Sequence, residues 1–135
     1  MEDGPLGNKY MNIVLITGSH PRHKFIARKL AERGDLSLII CQKRESFVPQ
    51  PPSDLNNKLS ELYLKHFQDR EENEYKYFGD SLWPNVEIIE VEKSQQNSDL
   101  VRETIAEITP DLLLTYGCGI LSEDILDSCS CKKEF

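Results

Sequence analysis

The sequence predicts an α/β protein with a Rossmann-like doubly wound parallel sheet of about four strands in the order 3-2-1-4. Short apolar runs of strand length alternate along the chain with segments of helical periodicity. The first run, residues 12–17, is rich in β-branched side chains, which is typical of a strand buried on both faces. Sheets of this kind bind ligands beyond the carboxyl ends of their strands.

The first forty residues predict a β-α-β unit. Residues 12–17 form the first strand, and apolar residues at helical spacing, including Phe25 and Leu30, predict a helix that ends near Gly34. Residues 36–41 form the second strand, and the crossover between the two strands is expected to be right-handed. A polar, proline-containing loop follows at residues 42–53.

The remaining elements continue the alternation. A long charged helix is predicted from about residue 55 to 78, with Leu55, Leu59, Leu62 and Phe67 on one face. A third strand at 86–91 and a helix that ends before Pro110 come next. A fourth strand at 111–116 precedes a short helix after residue 122, so we divide the chain into a tag-like or disordered start (1–10), one domain (11–127) and a polar tail (128–135).

Composition and charge exclude several classes of protein. The chain has 135 residues and a formal charge of −7, and its basic residues are scattered, so nucleic acid is not an expected partner. No run approaches the roughly 20 apolar residues of a membrane helix, and no apolar signal segment precedes Met11. Cys41 and Cys118 fall in strand-like surroundings, whereas Cys129 and Cys131 lie in the polar tail without further ligands, so we expect a reduced, cytoplasmic protein without a metal.

The loop after the first strand is the first candidate binding segment. Gly18 at the end of the strand would let backbone amides approach a ligand, and Arg22 at a helix N-terminus would attract an anion. The alternative is an ordinary strand-to-helix turn with a solvated polar cluster. The segment lacks both the G-x-G-x-x-G and the G-x-x-x-x-G-K-[ST] patterns, and His20 and His23 have no companion ligands for a metal.

Three segments of the chain are distinctive when taken together. They are Met-Asn-Ile-Val-Leu-Ile-Thr-Gly-Ser-His-Pro-Arg-His from Met11, Phe78-Gly79-Asp80, and Pro-Asp-Leu-Leu-Leu-Thr-Tyr-Gly-Cys-Gly-Ile-Leu from Pro110 to Leu121. These segments resemble the formyltransferases, the family that includes methionyl-tRNA, glycinamide ribonucleotide and nucleotide-sugar formyltransferases. The resemblance extends from about residue 11 to 127.

The resemblance implies transfer of a formyl group from formyl-tetrahydrofolate, as co-substrate, to a substrate amine, with an amino-sugar nucleotide among the candidate acceptors. The segment after the fourth strand would line the folate pocket, and the first loop would face the acceptor, where Arg22 suits a phosphate or carboxylate. The implied folate-binding residues are Tyr116, Gly117, Cys118, Gly119, Ile120 and Leu121, and the implied acceptor-binding residues are Gly18, Ser19, His20, Arg22 and His23.

The chain departs from the family at its catalytic residues. Formyltransferases use an asparagine and a histidine two residues apart, followed by an aspartate, to stabilise the oxyanion and move protons. No asparagine here has a histidine two residues on, so we assign no catalytic residue and expect the isolated chain to be a truncated, inactive N-terminal portion. Truncation would leave the fourth strand as an apolar edge, which predicts dimerisation or poor solubility.

Two other functions compete with this interpretation. The first is a non-catalytic Rossmann-like module that binds a ligand or a partner. The second is an enzyme that uses NAD or another nucleotide. The missing glycine pattern and the absence of an acidic residue at the end of the second strand, where Gln42 stands, argue against the nucleotide enzyme.

Overall fold

Five parallel strands form the centre of the protein in a computed structural model that describes residues 11–43, 50–128 and 132–134. The order is β3-β2-β1-β4-β5, which confirms the predicted 3-2-1-4 arrangement and adds one strand. Each strand pairs with its neighbours in parallel. The strands are β1 (Ile13–Thr17), β2 (Leu36–Gln42), β3 (Glu87–Val91), β4 (Leu112–Tyr116) and β5 (Lys132–Glu134).

Within the described residues, four helices lie between the strands. Their bounds agree with the predicted elements, except that the first begins earlier than its apolar pattern suggests, with Pro21 in its first turn, where no N–H is needed. The helices are α1 (Pro21–Ala31), α2 (Asn57–Phe78), α3 (Asp99–Ile108) and α4 (Glu123–Leu126), and a 3₁₀ turn, Gln95–Asn97, precedes α3.

The core lies on both faces of the sheet. Alternate residues of β1 point to opposite sides, so Val14 and Ile16 belong to one apolar cluster and Ile13 and Leu15 to the other. Helices α3 and α4 close the first cluster, to which Val101, Ile105 and Ile125 contribute, while Ala27 of α1 belongs to the second. This two-sided burial is the doubly wound architecture that the sequence predicts.

Helix α2 is mostly exposed. It meets α1 at its carboxyl-terminal end, where the rings of Phe25 and Phe78 lie 5.2 Å apart. Glu74 is its buried residue, whereas Leu59 and Leu62 of the predicted apolar face are 47% and 55% exposed. In the part of the chain that the structure describes, no helix combines the length and apolar character needed to cross a membrane.

The predicted polar tail needs a correction. Residues 132–134 form β5, which pairs in parallel with β4 from Leu112↔Lys132 to Leu114↔Glu134. A strand edge pairs through backbone groups, so a segment without an apolar pattern can still add to it. The expectation that β4 is an open edge is therefore wrong. Dimerisation stays a prediction, and this edge does not support it. Residues 1–10, Cys129 and Cys131 lie outside the described residues.

Truncation of a buried side chain of α3 should destabilise the protein. Ile105 is fully buried in the first cluster, and we expect Ile105→Ala to lower the free energy of unfolding by about 2–5 kcal/mol. Leu100→Ala on the same helix is the control, because Leu100 is 59% exposed and its truncation should cost within about 0.5 kcal/mol. Urea denaturation measures both, and equal effects would contradict the described packing of α3.

Candidate functional site

The carboxyl ends of β1 and β4 bring the two predicted binding loops together. The Thr17 hydroxyl donates a hydrogen bond to the carbonyl oxygen of Tyr116 at 2.7 Å, and the Gly18 amide donates to the same oxygen at 3.3 Å. Because β2 lies on the other side of β1, the strand order reverses at this point. The loops, residues 18–23 and 117–121, therefore lie at the switch point of the sheet, where ligands of such folds bind.

The first loop is organised around His23. Its Nδ1 accepts a hydrogen bond from the backbone amide of His20 at 3.0 Å, so that nitrogen carries no proton. The imidazole is fully buried, and its ring meets Tyr116 edge-on with centroids 4.9 Å apart. The sequence places His23 among the acceptor-binding residues, whereas the structure places it beneath the loop. It holds the two loops in position.

Two glycines make room for this histidine. A β-carbon on Gly18 would lie 2.6 Å from Cε1 of His23 and 2.8 Å from the Gly117 carbonyl oxygen. Gly117 has φ of +75°, which favours glycine, and a β-carbon there would collide with Nε2 of His23. The sequence attributes Gly18 to a close approach of a ligand, and the structure shows that close packing of the chain itself requires it.

Arg22 is paired within the protein. Its Nη1 donates to Oε1 of Glu74, and its backbone amide donates to Oε2 of the same carboxylate at 3.1 Å. The Nη1 group also lies 3.0 Å from Nδ1 of His20. Burial of Glu74 raises its pKa, but the hydrogen bonds and the charge of Arg22 outweigh burial, so the pKa lies below its ordinary value. An internal carboxylate thus takes the position expected for a ligand anion.

The second loop is held from behind by amide side chains. The Gly119 amide donates to Oε1 of Gln42 at 2.8 Å, and Nδ2 of Asn97 donates to the Ile120 carbonyl oxygen at 2.9 Å. Oδ1 of Asn97 accepts from the Ser122 amide at 2.7 Å. Asn97 directly precedes Ser98, whose side chain caps α3. Polar residues after β2 and β3 could be expected at this edge, because all the strands are parallel.

Gln96 is a further buried amide beside the second loop. Its Nε2 donates to the Ile120 carbonyl oxygen at 3.4 Å, and a β-carbon on Gly119 would collide with that nitrogen. Its Oε1 has no hydrogen-bond partner among the described residues. The Gln96 Oε1 atom can therefore accept a hydrogen bond from a ligand or a water molecule.

An open pocket of about 310 Å³ adjoins the second loop. Five of the six residues predicted to bind folate line it, and Tyr116 is the exception. Ile120 at this pocket is 91% exposed. The lining residues are Thr115, Gly117, Cys118, Gly119, Ile120, Leu121 and Leu126.

The thiols at this edge are apolar groups rather than nucleophiles. Burial, with a smaller contribution from Glu90, raises the pKa of the Cys41 thiol to about 11, and burial also raises the pKa of Cys118. Both remain protonated at neutral pH. Within residues 11–43, 50–128 and 132–134, no group of three histidine, cysteine or acidic residues is arranged to hold a metal ion.

Comparisons with known proteins add little to this geometry. No protein-family profile matches the sequence, and no curated protein matches it. A solved structure of Thermococcus litoralis Δ1-pyrroline-2-carboxylate reductase in complex with NADH and L-proline aligns at 18% identity with a TM-score of 0.31. The alignment covers 82% of this chain and 24% of the reductase chain. A likeness this weak carries no argument, so the Rossmann-like class of the protein rests on its own strand order and crossovers.

Substitution of Gly117 tests the packing between the loops. Gly117→Ala combines a left-handed φ with a collision against His23, and we expect a loss of about 2–4 kcal/mol in the free energy of unfolding. Gly34→Ala is the matched control, because Gly34 also has a positive φ, of 82°, but lies on the surface. Chemical denaturation should show a larger loss for Gly117→Ala, and equal losses would mean that His23 is not packed as described.

Removal of the Glu74 charge should change the pH dependence of stability. The folded-state pKa of Glu74 lies below its ordinary value of 4.5, so its contribution is fully present above that value and is lost as the pH falls through the folded pKa. We expect Glu74→Gln to cost about 1–3 kcal/mol at pH 7, because Arg22 loses a charged partner.

Urea denaturation from pH 7 down to pH 4 and below measures this effect. The difference between the wild type and Glu74→Gln should shrink as the pH falls below 4.5. Glu72→Gln, an exposed position on the same helix, is the control and should leave stability within about 0.5 kcal/mol of the wild type. A difference that stays constant with pH would exclude an ionised Glu74 in the folded state.

Proposed function

We propose that this chain is the folate-binding portion of a formyltransferase-like protein, and that formyl-tetrahydrofolate binds in the pocket beside residues 117–121. One observation carries the proposal. The segment that resembles the folate-binding segment of the family lines an open pocket at the switch point of the sheet. The pocket supports a ligand at this segment, and the sequence resemblance alone supports folate as that ligand.

The pocket suits a flat, partly apolar ring. Its volume of about 310 Å³ lies at the lower end for small-molecule sites, which fits one bicyclic ring better than a whole folate. Loop backbone from Gly117 to Gly119 offers amide and carbonyl groups, and Ile120 and Leu121 offer apolar surface. A ring across the pocket would cover the exposed side chain of Ile120. The buried Oε1 of Gln96 is an acceptor close to the same loop.

The formyl acceptor would approach from the first loop. This proposal assigns the amine, with amino-sugar nucleotides among the candidates, to the side of Gly18, Ser19 and His20. Ser19 is half-buried, and its loop lies next to the second loop across the Tyr116 carbonyl contacts. Two free thiols, Cys41 and Cys118, support a reducing, cytoplasmic setting.

Binding rather than catalysis is proposed for the residues of this chain. Formyl transfer needs a donor at the developing oxyanion and a base for the amine proton. The sequence contains no asparagine followed two residues later by histidine. His23 is committed to loop packing, and His66 lies on the exposed surface of α2. The same facts favour a second candidate, a non-catalytic Rossmann-like module for another ligand or for a partner protein.

Isothermal titration calorimetry with 5-formyl-tetrahydrofolate and with 10-formyl-tetrahydrofolate tests the proposal. We expect saturable binding by the wild type and about tenfold or more weaker binding by Ile120→Ala, because the ring would lose the apolar side chain that it covers. Ile120→Ala should not affect folding, since the side chain is 91% exposed. No formyl transfer to an amino-sugar nucleotide is expected from the wild-type chain alone.

Ile26→Ala is the control variant, because Ile26 is an exposed isoleucine on α1 that lies outside the pocket. It should bind like the wild type. Absence of binding up to about 1 mM ligand, which corresponds to about −4 kcal/mol, would favour the second candidate function. Equal affinity of Ile120→Ala and the wild type would show that folate does not bind in this pocket.

A further inference from the structure

A carboxylate from a distant part of the chain accepts hydrogen bonds at the amino terminus of α1. In Rossmann-like folds, the first backbone amides of the helix after the first strand attract anions, since they have no partner within the helix. Here the Arg22 amide donates to Oε2 of Glu74 at 3.1 Å, and the Arg22 guanidinium donates to Oε1. Glu74 lies 52 residues further along the chain, on α2.

The Glu74 carboxylate is buried and is paired with a positive charge, so it is held firmly in this position. Its side chain is 6% exposed, and Nδ1 of His20 lies 3.7 Å from Oε1. The same Nη1 of Arg22 contacts both His20 and Glu74, so one cation and one anion share a closed, nearly neutral cluster. An external anion at the Arg22 amide would have to displace the carboxylate and would then lie close to a buried negative charge.

We infer that Glu74 acts as a built-in anion that closes the α1 amino terminus to external phosphate, sulfate and carboxylate groups. Glu74 is thereby a specificity-determining residue of the first loop. If the proposed function holds, the part of the acceptor that faces this loop is uncharged, and the phosphates of a nucleotide acceptor bind elsewhere. The closure itself does not depend on folate binding, so its test is separate from the calorimetric one.

The experiment follows the Arg22 amide by ¹H–¹⁵N NMR while sodium sulfate is added at constant ionic strength. Wild-type protein should show no saturable shift of the Arg22 amide up to about 20 mM sulfate, because the carboxylate already accepts its proton. Glu74→Ala should show a saturable shift with a Kd at least about tenfold lower than any wild-type value, since two donors are released.

Two further variants locate the effect. Glu72→Ala, on the exposed side of α2, should behave like the wild type. The double variant Arg22→Ala and Glu74→Ala should lose most of the sulfate response at this amide, because the guanidinium is gone. If Glu74→Ala does not fold, Glu74→Leu replaces it, because leucine is of similar size but accepts no hydrogen bond from Arg22.

Either of two results would overturn the inference. A saturable wild-type shift with the same Kd as Glu74→Ala would show that the carboxylate does not close the helix terminus. A folded Glu74→Ala or Glu74→Leu without any sulfate response would show that no anion position exists there to be closed. If neither variant folds, the wild-type titration decides alone, because saturable binding refutes closure and its absence supports it. Folate binding by calorimetry is unaffected by these results, so failure of one proposal leaves the other standing.

Discussion

The burial of β1 on both faces is the constraint from which the rest of the structure follows. All five residues from Ile13 to Thr17 are buried, and the strand pairs with β2 on one side and with β4 on the other. A strand without an exposed face needs helices on both sides of the sheet, which α1 and α3 supply. The chain continues from β1 to β2 and β3 on one side and then returns to β4 on the other side of β1. The loops after β1 and β4 therefore meet at the carboxyl end of β1. Packing therefore sets the place of the candidate site before any chemistry is considered.

The two loops at this place differ in what they leave for a ligand. In the first loop, His23 accepts from the His20 amide and Glu74 accepts from Arg22, so these two amides are already engaged. In the second loop, Gln42 and Asn97 bind the backbone from behind. That leaves the opposite surface, with its exposed apolar side chain, open at the pocket. This asymmetry supports the assignment of the main ligand contact to the side of β4.

The sequence predicts the strands and most helix ends well because apolar periodicity reports burial directly. It misses β5 because Lys132–Glu134 has no apolar pattern, and its pairing depends on the backbone of β4. Glu74 falls in a charge run that normally indicates a solvated face, and its burial depends on how α2 packs on α1, far away in sequence. From the sequence, Gln42 is notable only because it stands at the end of β2, where a dinucleotide-binding site would have an acidic residue. Its contact with Gly119 requires knowledge of which loops are neighbours.

The closed α1 terminus also bears on the nucleotide-binding alternative. A dinucleotide site needs bare backbone amides at this helix and glycines that let a pyrophosphate approach them. In this chain, the close approach that Gly18 permits is made by the His23 ring, and the amide of Arg22 is taken by Glu74. Two separate contacts thus occupy the two features that a pyrophosphate would need. The missing glycine pattern already argues against a nicotinamide cofactor. The structure adds a second argument, because groups of the chain itself occupy the places where a pyrophosphate would bind.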